Sequence, residues 1–93
     1  MEIKFQLYTP VIDTNSLSID CIQNNKGYIS QILTEYIEIT WKRYTTNNKR
    51  YYESSTIYTK EYINLYIKSD LEKIRNDKIQ QLLYHQQNAN RNF

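Results

Sequence analysis

Along residues 2–8 apolar and polar side chains alternate, with Ile3, Phe5 and Leu7 on one side and Glu2, Lys4, Gln6 and Tyr8 on the other. That is the period of a half-buried strand. Pro10 is expected to end it, and residues 13–16, Asp-Thr-Asn-Ser, read as a turn. Over 17–22, Leu17, Ile19 and Cys21 again alternate and favour a strand followed by a turn at 24–27. The same stretch also fits a short helix, capped by Asn15 or Ser16 and stopped before Gly27. Tyr28, Ile29, Ile32 and Leu33 follow the rhythm of one helical face and predict a turn or two of helix at 28–34. Residues 36–46 are dominated by Tyr, Ile, Thr and Trp, side chains that suit a pleated surface, and predict a strand.

Asn47 and Asn48 follow. Both tolerate positive φ, so a two-residue type I′ loop is expected. Such a loop sets a register in which Thr46 faces Lys49, Tyr44 faces Tyr51, Arg43 faces Tyr52 and Lys42 faces Glu53. Aromatic and opposite-charge pairs of this kind each stabilise a ribbon by about 0.2–1 kcal/mol. A slip by one residue would turn every side chain to the wrong face.

In the C-terminal third, Ser69 and Glu72 have capping-box spacing, and Leu71, Ile74, Ile79, Leu82 and Leu83 form a helical stripe. Ile63 and Ile67 extend that stripe backwards, which favours one long helix from Thr59; the alternation of Ile63, Leu65 and Ile67 offers a strand over 59–68 instead. Lys78 interrupts the stripe, but its stem can lie along apolar surface. Residues 88–93 are expected to fray. These elements predict one small α+β domain, an antiparallel sheet of three to five strands with a C-terminal amphipathic helix packed on one face.

Composition sharpens this picture. With 93 residues the chain is short for a large core. Its apolar fraction is built from Ile and ten Tyr, while Ala and Val occur once each. The Asn, Lys and Ile bias also fits an AT-rich genome, such as that of a virus or mobile element. Cys21 is the one cysteine, so neither an internal disulfide nor a cysteine metal cluster is expected. No apolar run is long enough for a transmembrane helix, and no signal-peptide pattern opens the chain; a cytoplasmic protein is expected, in the host cell if the source is viral. The net charge of +2 is uneven: residues 1–41 carry −3 and residues 42–93 carry +5. A polarised surface can steer an anionic partner.

No catalytic constellation, metal site or cofactor is expected. His85 stands alone among Gln and Tyr, Cys21 lacks a neighbouring base, and one glycine makes no phosphate-cradling loop. Gathering Glu35 and Glu38 with Asp13 or Asp20 around a metal would need a fold that the pattern does not specify. The hairpin is the stronger candidate. One face would carry Trp41, Arg43, Arg50 and Tyr52, and the other Lys42, Tyr44, Tyr51 and Glu53, with Lys49 at the turn. Cations bind phosphates and flat rings stack on bases, so Trp41, Lys42, Arg43, Tyr44, Lys49, Arg50 and Tyr52 form the expected DNA- or RNA-binding set. A two-stranded ribbon is also narrow enough for the major groove. The run YTKEYINLY after the hairpin resembles the arm-type DNA-binding domains of phage-type integrases. There a three-stranded sheet precedes a helix with a Thr-Lys-Glu-like start, matched here by Thr59, Lys60 and Glu61. The family's usual turn glycine and preceding Phe are absent, and the likeness covers only the hairpin and helix start. Tyr, Trp and Arg equally favour protein interfaces. The alternative is therefore a small inhibitor or adaptor of viral, phage or mobile-element origin that binds a host or phage protein, or a homodimer through the 63–83 stripe.

Overall fold

The computed structural model describes residues 5–47 and 49–91, with side chains through Tyr84. The strands β1 (Pro10–Asp13), β2 (Lys26–Ile32), β3 (Tyr36–Thr45), β4 (Arg50–Thr59) and β5 (Ile67–Ser69) form one antiparallel sheet in the order β4-β3-β2-β1-β5. Helix α1 (Ile19–Ile22) joins β1 to β2, α2 (Lys60–Tyr66) carries the chain from β4 at one edge to β5 at the other, and α3 (Leu71–Arg91) follows β5. This is the expected α+β class, with the C-terminal helix meeting the sheet at β1.

The inner face of the sheet holds the core. Alternation along β3 turns Ile37, Ile39 and Trp41 inward, where they meet Val11, Ile29 and Ile67 from neighbouring strands and Ile63 from α2. Trp41 is opposite Gly27 in the β2–β3 register. A methyl group at Gly27 would lie 2.5 Å from Cε3 of Trp41, so the indole occupies the space a side chain would need. The outer face carries Tyr28, Lys42, Tyr44, Tyr51, Glu53 and Ile57; α3 borders it with Lys73 and Asp77 while Ile74 is half-buried.

Several sequence expectations need correction. Residues 5–9 are not a strand: a turn with an N–H···O bond from Thr9 to Gln6 (3.2 Å) breaks the alternation, and the strand begins at Pro10 instead of ending there. Residues 1–4 lie outside the described set. Over 17–22 the helical alternative holds, capped by Ser18. The inward residue there is Asp20, while Leu17 and Ile19 are exposed, so the apolar alternation pointed the wrong way. Residues 28–32 belong to strand β2. A register shift between Ile29 and Gln31 pairs Ile29 with Ile39 but Ile32 with Ile37. The extra residue of that bulge turned a period of two into a spacing that imitates a helix.

The long helix from Thr59 is interrupted. Thr59 caps α2, with its hydroxyl accepting from the Tyr62 N–H, but Ile67–Ser69 pair with β1. Ile63 and Ile67 both reach the core, one from a helix and one from a strand, which is why their spacing looked continuous. Asp70, not Ser69, caps α3 by accepting from the Lys73 N–H at 3.2 Å. Helix α3 runs to Arg91, and of the tail at 88–93, residues 92–93 lie outside the described set. In the hairpin the ladder from Tyr36–Thr59 to Thr45–Arg50 has the expected register. Strand β3 ends at Thr45 and β4 begins at Arg50, so Thr46 and Lys49 lie outside the paired strands, and Lys49 is left-handed (φ 50). Asn48 lies outside the described set.

Candidate nucleic-acid interface

The seven expected binding residues separate by face. Trp41 is fully buried and its Nε1 donates to the Tyr58 hydroxyl at 2.9 Å, so it offers no ring to a base. Arg43 is turned inward as well. Its Nη1 lies 2.7 Å from Oδ1 of Asp20, with side-chain exposures of 17% and 4%. Asp20 also accepts from Asn25 Nδ2 at 3.0 Å and from the Tyr58 hydroxyl at 3.3 Å. Trp41, Tyr58, Asp20, Asn25 and Arg43 thus form one polar network under α1, in which a buried carboxylate is paired with a cation. The alternation of β3 made Trp41 and Arg43 neighbours on a face, but the covering residue Asp20 comes from a helix that the pattern read as strand. Burial first, and then the charges of Asp20 and Asp13, push the Tyr58 phenol up from 10.0 to about 12 against the pull of the indole N–H. Tyr62, stacked on Tyr58 with centroids 5.0 Å apart, is raised too by burial and by donating to Asp13.

Lys42 and Tyr44 point outward. The Tyr44 and Tyr51 rings lie 5.0 Å apart, and Nζ of Lys42 stands 4.7 Å from the centroid of Tyr51. Tyr51 keeps 66% of its surface exposed, so a flat ring and a cation are presented together. Lys49 and Arg50 are exposed at the tip, and Tyr52 is exposed on the inner side beyond the cover of α1. The β2–β3 ladder stops at Lys26–Lys42, so only the pairs from Arg43–Tyr52 to Thr45–Arg50 project as a two-stranded ribbon. At about 3.3 Å per residue that arm is roughly 10 Å long, short for a groove-filling ribbon.

The sequence reading did not add Lys26, Tyr28, Tyr8 or Tyr51 to the set. Lys26 is the direct cross-strand partner of Lys42. Like charges placed opposite each other cost stability, and an anion between them removes that cost. Lys26 also lies 3.5 Å from Oδ2 of Asp70. Next to this pair opens a cleft of about 400 Å³ between the sheet and α3, lined by Tyr8, Tyr28, Lys42, Glu53, Lys73 and Asp77 among others. The Tyr28 hydroxyl donates to Oε2 of Glu53 at 3.5 Å, and the Tyr8 and Tyr28 rings are 6.3 Å apart. Tyr8 has φ 67, a left-handed conformation that a bulky side chain adopts rarely. Its N–H donates to the Ile29 carbonyl at 2.7 Å, which pins the strained residue beside the sheet. Tyr51 was legible from its register with Tyr44. The others come from segments whose approach to the hairpin depends on β2 being a strand.

Among the described residues no group of three or more His, Cys, Asp and Glu side chains is placed to hold a metal ion, and no helix is long and apolar enough to cross a membrane. Glu38 accepts from the Ser30 hydroxyl at 2.7 Å on the outer face, away from the buried Asp13 and Asp20. The chain matches none of the protein-family models, curated proteins or solved structures with which it was compared.

Proposed function

We propose that this chain is a non-enzymatic nucleic-acid-binding module that lays a single strand across the outer face of the sheet. Phosphates would meet Lys42, Lys26 and the tip cations Lys49 and Arg50, and bases would stack on Tyr51 and Tyr44. The reading rests on one observation above others: Lys42 stands over an exposed Tyr51 ring beside Tyr44, on a sheet face with room along it. Base–aromatic stacking is worth about 1–3 kcal/mol per base and tolerates any sequence. The short projecting arm favours this mode over insertion into a duplex groove.

The test is fluorescence anisotropy with a labelled single-stranded oligonucleotide across a salt series. Affinity is expected to fall steeply with salt, and Lys42→Ala to reduce the slope of log affinity against log salt by about 1. Binding that is absent, or indifferent to salt, refutes the reading.

A second reading, protein binding or self-association, is favoured by a different feature. Leu71, Ile79, Leu82 and Leu83 on α3 are all half or more exposed, or nearly so. Aliphatic side chains in such number on one helix suit a partner surface. Sedimentation velocity over a concentration series tests it: a dimer lost on Leu82→Lys supports this reading, and a monomer at every concentration removes its self-association form.

A further inference from the structure

We infer that the cleft between α3 and the outer face is a base-reading pocket for guanine within a single strand. The inference rests on the proposed nucleic-acid function and names what that surface selects. The cleft, about 400 Å³, lies within the range of roughly 300–1,000 Å³ of sites that hold small ligands. It is continuous with the hairpin surface, because Lys42 belongs to both. A strand stacked on Tyr51 and held at Lys42 therefore runs on towards Glu53, Tyr28 and Tyr8.

The chemistry at the cleft is selective. Glu53 is exposed, stands directly opposite Lys42 in the β3–β4 register, and has the Tyr28 hydroxyl at the outer limit of hydrogen-bonding distance. An ionised carboxylate only accepts, and its two oxygens can take two parallel N–H donors. Unstacked bases are read on their Watson–Crick edges. Guanine presents two adjacent donors there, the ring N1–H and the exocyclic amine; adenine, cytosine, thymine and uracil present one donor group beside acceptors that a carboxylate repels. Tyr8 supplies the ring. It is 71% exposed and tilted 39° to Tyr28, and its backbone stays left-handed although glycine would adopt that conformation without strain. A tyrosine there, lining the cleft with Glu53 and the facing Lys26 and Lys42, gives a purine a surface to lie on. Lys73 on α3 also lines the cleft, with its Nζ 3.5 Å from Oδ2 of Asp77.

The experiment compares a labelled oligothymidylate with the same strand carrying one central guanine, by anisotropy at fixed salt, alongside thermal unfolding of each variant. The intact protein is expected to prefer the guanine strand by about tenfold or more, the discrimination of one good bidentate contact. Glu53→Gln is expected to bring that ratio close to one. Tyr8→Gly is expected to weaken the guanine strand without lowering the unfolding midpoint, since glycine relieves the left-handed backbone. Equal, salt-sensitive binding of the two strands overturns the guanine pocket and leaves the broader nucleic-acid reading standing. An equal gain in affinity for both strands on Glu53→Gln also overturns it, because the carboxylate would then act only by repelling phosphates. Failure of the intact protein to bind either strand overturns both.

Discussion

The two faces of strand β3 carry nearly the same chemistry and meet opposite fates. Trp41 and Arg43 face inward, Lys42 and Tyr44 outward, so each side has one cation and one aromatic ring. Inward, the ring is buried against Gly27 and the cation is spent on Asp20. Outward, the cation lies over an exposed tyrosine with no buried carboxylate holding it. The lesson is that residue type does not make a binding site; what covers the face does. Here α1 and α2 cover one face, while α3 borders the other with Lys73 and Asp77 and leaves a cleft.

That contrast can be broken most forcefully at Trp41. Truncating a fully buried aromatic costs about 3–5 kcal/mol, a large part of the stability of a small domain, so Trp41→Ala is expected to lose the cooperative transition in urea. A variant that keeps its midpoint would place the indole outside the core. Arg43→Ala comes next. It leaves the Asp20 carboxylate buried without its cation, at a cost of about 3 kcal/mol, again read as a lower urea midpoint. If instead stability holds and nucleic-acid affinity falls, Arg43 belongs to the outward chemistry.

Alkaline pH sharpens the same comparison more gently. Tyr58 has its folded-state pKa raised from 10.0 to about 12, so its contribution is fully present below pH 10 and is lost as the pH rises towards 12. Urea midpoints are expected to decline across that window, and to decline less in Tyr58→Phe, although the variant starts lower because Trp41 and Asp20 each lose a partner. The smallest effect on folding belongs to the outer face. Lys42→Ala is expected to change stability by no more than about 0.5 kcal/mol, as seen by urea denaturation, while weakening oligonucleotide binding.

Much of the architecture was legible because period-two alternation and the chemically matched pairs of the hairpin dominate β3 and β4. The register from Tyr44–Tyr51 to Lys42–Glu53 follows from them directly. What escaped were places where one residue upset the count. The bulge after Ile29 disguised β2 as a helix, and the buried Asp20 reversed the polarity expected of α1. Ile67 extended a helical spacing into a strand. Each error hid part of the candidate site. Without β2 as a strand, Lys26 does not face Lys42 and Tyr28 does not approach Glu53. Without α1 and its inward acid, Arg43 looks free. A buried carboxylate that recruits a distant arginine leaves no local periodicity, so sequence pattern alone carries no sign of it.

The ten tyrosines provide the most direct measurement of all. Ring ¹³C–¹H resonances, assigned and followed while a single-stranded oligonucleotide is titrated in, report each face separately. The account predicts that Tyr44, Tyr51, Tyr28 and Tyr8 shift together while Tyr58 and Tyr62 hold their positions. Shifts at Tyr58 and Tyr62 with the outer rings unmoved, or no shifts at saturating oligonucleotide, would contradict it.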